Sequence, residues 1–287
     1  MDELPLEIVQ EIIECSARSN RHQAATLSRV SRAVNDWVRP HLLKSLIYYE
    51  DSEEDRNFHP VPSLSWFETN GKYVRNMLWR SGVAKLPPIL ELCPHLENLA
   101  LWTYISEANA TVLLPILSTL PLRQISVNLQ ALFSGSDFQN EQGRNSMFRC
   151  ITHLDIIQRC TEWSQIEGTA QLPCLTHLSI LQPSDNVGAV SGALEHCARL
   201  RILALLRFST IQYQRNVRHI AEENAILCHC SDPRVVGLMV EVIGDWDAGA
   251  MGGRDMWVIA EEIVAKRLQG WREVVSTVGV PSSSDIK

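Results

Sequence analysis

The strongest constraint on this chain is a six-residue apolar template that keeps returning through its interior. Written L-x-x-L-x-L, it is met by "LENLAL" (Leu96, Leu99, Leu101), "LRQISV" (Leu122, Ile125, Val127) and "ITHLDI" (Ile151, Leu154, Ile156). It returns in "LTHLSI" (Leu175, Leu178, Ile180), "LRILAL" (Leu200, Leu203, Leu205) and "VVGLMV" (Val235, Leu238, Val240). Looser versions stand upstream at "LKSLIY" (Leu43, Leu46, Tyr48) and "VRNMLW" (Val74, Met77, Trp79). Successive first positions are 31, 22, 26, 29, 24, 25 and 35 residues apart. The last two template positions lie two apart, so on a short strand both point to one face. The first position, three residues earlier, turns the chain onto that strand. Segments such as "EANATVLLPILSTL" and "VGAVSGALEHCARL" then carry the chain back as helices or turns. One unit cannot cover its own apolar face, so neighbours must stack into a shared core.

Most of these steps fall in or near the 20–29-residue period of leucine-rich repeats. The expected fold is therefore α/β, a repeat-built solenoid with strands on one side and returns on the other. The repeats are degenerate. The turn position that ordinarily holds Asn or Cys carries Tyr104, Gln130, Arg159, Pro183, Phe208 and Ile243. The longer steps contain "EDSEEDRNFHPVP", "SGSDFQNEQGRNS" and "IQYQRNVRHIAEENAI", expected as loops or added helices. The acidic run from Glu50 to Asp55 reads as a solvated loop. Strand positions that alternate with the template point the other way and are expected to be exposed. They include Trp102, Gln124, Ser126, Asn128, His153, Asp155, His177 and Ser179. An aromatic mixed with amides and imidazoles suits a protein partner better than a small apolar ligand. His153 and His177 hold the same place in adjacent units, so in-register pairing stacks them roughly 5 Å apart, as a ladder on that surface.

Composition narrows the function classes. With 45% apolar and 21% charged residues, the chain has material for a substantial core. A net charge of −7 argues against a general nucleic-acid binder, which needs a basic face. No apolar run approaches the ~18–20 residues of a membrane span. Asp2, Glu3, Glu7, Glu11 and Glu14 give the first segment the wrong charge for a signal peptide. A cytoplasmic or nuclear location is expected, with the 8 cysteines reduced. "LCHCSD" (Cys228, His229, Cys230) is the densest ligand group, but no second pair completes a tetrahedral site. No metal and no cofactor are expected. GxSxG, Walker A, GxGxxG and HExxH motifs are all absent, so the chain reads as a non-enzyme with no catalytic residues.

The two ends differ from the interior. Leu6, Val9 and Ile13, widened by Ile8 and Ile12, form an apolar stripe with Glu7, Glu11 and Glu14 opposite. Pro5 suits the first helical turn. "HQAATLSRVSRAVNDWV" reads as a second helix bearing Leu27, Val30, Val34 and Trp37, with Pro40 ending it. Such a module is near the size below which a domain rarely stands alone. Pattern leaves two readings open: the module caps the repeat array, or it offers an apolar patch to a partner.

"LPLEIVQEII" followed by "TLSRVSRAVNDWVRP" resembles an F-box, whose signature is LPxE(I/L)xxxI and then L-x-x-V-(C/S)-(R/K)…W. The matching residues are Leu4, Pro5, Glu7, Ile8 and Ile12, then Leu27, Val30, Ser31, Arg32 and Trp37. "DWDAGAMGGRDMWVIAEEIVAKRLQG" is similar to the terminal signature of fungal F-box-like proteins. Its helix starts at the cap Asp255, turns Trp257, Ala260, Ile263, Val264 and Leu268 toward the last repeat, and ends near Lys266 and Arg267. The resemblance implies a helical F-box module (1–41), a degenerate leucine-rich-repeat-like solenoid (42–245), a C-terminal capping helix region (246–275) and a disordered tail (276–287). It further implies the substrate-recognition subunit of an SCF-type ubiquitin ligase, with a Skp-type adaptor and cullin scaffold as partners. Leu4, Pro5, Ile8, Ile12, Leu27, Val30 and Trp37 would bind the adaptor, and the repeat face a protein substrate. The alternative is a non-ubiquitin interaction scaffold whose first helices only cap the solenoid.

Overall fold

The computed structural model describes residues 4–49, 61–133, 149–181, 187–208 and 232–277. The acidic run, the Cys228–Cys230 group and residues 278–287 lie outside these. Eight strands form one sheet: β1 (Ser45–Tyr49), β2 (Asn76–Arg80), β3 (Asn98–Leu101), β4 (Gln124–Val127), β5 (His153–Arg159), β6 (His177–Leu181), β7 (Ile202–Phe208) and β8 (Val235–Val240). They lie side by side in chain order, and every neighbouring pair is parallel.

The template accounts for this register. Leu46, Met77, Leu99, Ile125, Leu154, Leu178 and Leu203 pair across the sheet as one column. Tyr48, Trp79, Leu101, Val127, Ile156, Ile180 and Leu205 form a second. Before each strand from β1 to β6 one carbonyl (Lys44, Arg75, Glu97, Arg123, Thr152, Thr176) accepts two N–H groups from the next unit. The same turn is thus built six times from different side chains. The last unit departs: Val235 pairs with Leu203, so it takes the second template position rather than the first. That shift of three residues is odd, so Leu238 and Val240 fall on the opposite face.

The returns supply α4 (Leu64–Asn70), α5 (Leu86–Glu91), α6 (Glu107–Thr119), α7 (Leu129–Leu132) and α8 (Val187–His196). Phe67, Leu90, Leu113, Leu132 and Ala193 from these helices join the template residues in one continuous core. Burying side chains such as Trp79, Met77 and Leu113 completely contributes roughly 1.5–3 kcal/mol each.

Three short helices precede the sheet: α1 (Leu6–Ser19), α2 (Arg21–Leu27) and α3 (Arg32–Leu42). The single second helix expected from the pattern is broken at Ser31, whose Oγ accepts from Val34 N at 3.1 Å and starts α3 afresh. Pro40 does not end α3, because in the last turn its missing N–H removes only one hydrogen bond. Ala17, Ala24, Val34 and Val38 form the module's own small core, with Ile13, Leu27, Trp37 and Leu42 against it.

The C-terminal helices α9 (Val242–Ala250) and α10 (Met256–Thr277) lie across the strand face opposite α4–α8. Met256, Trp257, Ala260 and Val264 cover β7 and β8, while Trp246 and Ala250 cover Leu78 and Ala100 of β2 and β3. Asn76 Nδ2 donates to Ala250 O at 3.0 Å, and Arg267 donates to Val235 O at 2.6 Å. Arg267 is therefore a mid-helix anchor rather than a helix end, and α10 runs to Thr277, two residues into the expected tail. No helix of the described residues is long and apolar enough to cross a membrane.

Candidate functional site

The strand face expected to be open is covered. Ser126, Asp155, His177 and Ser179 are buried, and Trp102, Gln124, Asn128 and His153 are partly buried. Parallel sheets are as a rule buried on both faces, and here α9 and α10 supply the second layer. Seven of the eight positions therefore form the floor of an internal interface. Asn128 acts locally, its Oδ1 accepting from Ala131 N at 3.0 Å to cap α7.

The floor is polar in its middle and apolar at both ends. Asp155 is buried and receives hydrogen bonds from Ser126 Oγ at 2.5 Å and from Ser179 Oγ. Trp102 Nε1 donates to Ser126 Oγ at 2.6 Å, extending the chain to β3. Burial pushes the Asp155 carboxyl up, and the two serine donors oppose that rise. Above it, α9 brings Asp245 and the start of α10 brings Asp255. Asp245 is pushed up to about 7 by burial and then by the neighbouring Asp255 and Asp155 carboxylates. Burial raises Asp255 as well, although its Oδ1 caps α10 by accepting from Val258 N at 3.0 Å. Gly249 makes room for Asp255, since a Cβ there would collide with the carboxylate. A cavity of about 30 Å³ between these layers is lined by Asn98, Ser126, Asp155, Asp245, Trp246 and Trp257. That is space for one or two waters, not for a substrate.

The histidine ladder is present, as an interior feature. His153 and His177 stack with ring centroids 4.1 Å apart, and Trp257 meets both edge-on at 5.3 and 5.5 Å. Burial lowers both to about 4; His153 is lowered further by His177, and His177 by Arg201. Both are neutral at pH 7. Thr176 Oγ1 lies 2.8 Å from His177 Nδ1, and Glu261 Oε1 lies 3.2 Å from Nε2. A neutral imidazole meets both partners when Nδ1 accepts and Nε2–H donates to the carboxylate. That role is orientation of α10 on the sheet. Asp245 and Glu261 were not picked out by sequence reasoning; Asp255 was expected as a helix cap and Trp257 against the last repeat, as they are, but not beside the polar row and the histidines. The signal for a cover was Leu78, Ala100, Ile202 and Ala204, apolar residues on strand positions that an exposed face would have made polar. Among the described residues no group of three His, Cys, Asp or Glu side chains is arranged to hold a metal ion.

The residues of the first helices divide differently. Leu4, Pro5, Ile8, Ile12 and Val30 are exposed, while Leu27 and Trp37 are partly buried against the module's core. Leu6 is 64% and Val30 68% exposed. Helix α1 therefore carries two apolar stripes: Ile13 and Ala17 face inward, and Ile8 and Ile12, one turn apart, face solvent.

Fold and site together define an α/β chain with an eight-stranded parallel sheet, helices on both of its faces and a helical module with an apolar outer stripe. No protein-family model matches the chain, and no curated protein matches it.

Proposed function

We propose that this protein is the substrate-recognition subunit of an SCF-type ubiquitin ligase, with α1–α3 as its adaptor-binding module. The observation that carries this reading is the outer stripe of Leu4, Pro5, Ile8 and Ile12, with Val30 also exposed. These are positions of the F-box-like motif, and exposed apolar clusters mark protein contact sites. A module that only capped the sheet would turn those side chains inward; it buries Ala17, Ala24, Val34 and Val38 instead. In this reading the sheet is a degenerate leucine-rich-repeat-like solenoid, supported by the aligned template columns and the six repeated turns. α9 and α10 serve as its C-terminal cover. The chain does no chemistry and raises the effective concentration of a protein substrate near an activated partner enzyme. A substrate would meet the outer side of α10 and the loops beside the strands, because the strand face itself is occupied.

The test is co-purification of the wild type, Leu4→Ala/Pro5→Ala and Ile8→Asp/Ile12→Asp with a Skp-type adaptor. The wild type is expected to retain the adaptor, and both variants to lose it with unchanged melting curves. A wild type that fails to retain the adaptor sinks the proposal.

A further inference from the structure

A second concave site lies at the junction of the helical module and the sheet, away from the outer stripe of α1. It is a cleft of about 430 Å³ lined by Arg18, His41, Lys44, Lys72, Tyr73 and Arg75, among others. That volume falls within the ~300–1,000 Å³ of small-molecule sites. Three separate pieces of chain, around residues 18, 41–44 and 72–75, deliver the basic groups. Arg18 comes from the last turn of α1 and His41 from the last turn of α3. Lys44 and Arg75 sit beside each other before β1 and β2, where the Lys44 carbonyl accepts from Arg75 N. Lys72 comes from the turn before β2, its Nζ 5.0 Å from the centre of the Tyr73 ring. No acidic side chain among the described residues lines the cleft.

The ordinary explanation is that Arg18 and His41 complement the carboxyl ends of their helices. Two helix ends supply about −0.5 charge each. Arg18, Lys44, Lys72 and Arg75 supply four positive charges, so positive charge remains in excess. Arg75 shares part of its charge with Glu97 at 3.2 Å, on the outer edge. Among the described residues Lys44, Lys72 and Arg18 have no carboxylate within ion-pair distance. In a chain of net charge −7 this is a local inversion of sign, and a concave wall concentrates such a field. Ala17, Pro40, Met251 and the Tyr73 ring add an apolar side to the same cleft.

We propose that this cleft binds a diphosphate-bearing small molecule, with Arg18, Lys44, Lys72 and Arg75 around the phosphates and Tyr73 beside any attached organic group. The shared chemistry is the pyrophosphate unit, whether free or as part of a nucleotide. Lysines and arginines both suit phosphate, the latter by paired N–H donors. This inference is independent of the adaptor-binding reading, since it uses none of the residues of the outer stripe.

The experiment is isothermal titration of the full chain with inorganic pyrophosphate and, separately, with adenosine diphosphate, at low and at high salt. Saturable binding of at least one probe is expected, weakening with salt. Lys44→Gln/Lys72→Gln should weaken it by at least about tenfold, whereas Arg29→Gln/Arg32→Gln removes equal charge from exposed positions outside the cleft and should change it little. Tighter binding of the nucleotide assigns the organic side to Tyr73; equal binding assigns the site to the free anion. In parallel, NMR should show the His41 pKa rising on binding. Burial holds it low, with Arg18 and Lys44 lowering it further against Glu14, and an anion offsets the two cations. No binding of either probe by the wild type, or equal losses in the two double variants, overturns the proposal. Circular dichroism melts of both variants separate loss of binding from loss of fold.

Discussion

At the scale of single residues, the interface under α9 and α10 is a set of titrating groups that oppose one another. Asp245 rests at about 7 in the fold against an ordinary value of 3.8. Between these values the unfolded chain has released its proton while the folded chain still holds it, so stability falls as pH rises through this window and stays reduced above it. His153 and His177 act in the opposite sense. Their folded values near 4 lie below the ordinary 6.5, so the unfolded state takes up protons first and stability is lost as pH falls from 6.5 toward 4. Asp245→Asn isolates the first effect, because an amide oxygen can still accept the Met256 N–H that the carboxylate accepts. The variant is expected to melt about 2–6 °C above the wild type at pH 8, and at nearly the same temperature at pH 4. Thermal unfolding at the two pH values checks this, and an equal shift at both would remove the carboxylate from the explanation. The histidine pair was legible as a pair, since "THLDI" and "THLSI" place the rings in register. Its burial was not, because nothing local to those strands says what lies above them.

At the scale of elements, the returns are held by close backbone approach as much as by side chains. Gly71 sits between α4 and β2, where an added Cβ would overlap Leu92 O and lie 2.8 Å from Leu92 C. Both contacts are backbone, so neither can swing aside. Gly71→Ala is expected to destabilise by about 1–3 kcal/mol. Gly82, at the turn after β2, leaves open space within 4 Å of where a Cβ would stand and has an ordinary backbone angle. Gly82→Ala should be neutral or stabilising by about 0.4–1 kcal/mol. Urea denaturation of both variants gives the comparison, and equal losses would remove the steric account. Strand positions were the most legible part of the fold: an L-x-x-L-x-L template states which residues face one core. The eighth strand shows where that reading stops. "VVGLMV" fits the template with Val235 in first place, yet in the sheet Val235 takes the second place and the first and third fall on Asp232 and Gly237. Packing overrode the template, because α10 gives Leu238 and Val240 an apolar partner on the far face.

At the scale of the molecule, the chain closes on itself. The last helices return from β8 across the sheet to β2 and β3, and Arg21 of the first module lies 3.9 Å from Asp247 of α9. Cover of this kind is invisible to repeat counting, which treats each unit as meeting only its neighbours. It follows from the parallel sheet instead: two faces of strands, each with apolar positions, require two layers. Trimming the chain after Glu241 tests this. Such a chain would expose Leu78, Ala100, Ile202, Ala204, Leu206 and Val236 together with the polar row between them, a patch far larger than a monomer ordinarily carries. It is expected to bind a hydrophobic dye and to aggregate on mild heating, while the full chain does neither. If the trimmed chain instead stayed monomeric with an unchanged melting temperature, α9 and α10 would be a detachable cover and the strand face a usable surface. The number and depth of the apolar contacts argue for the first outcome, since Trp257 is only 4% exposed and spans both histidines of the floor.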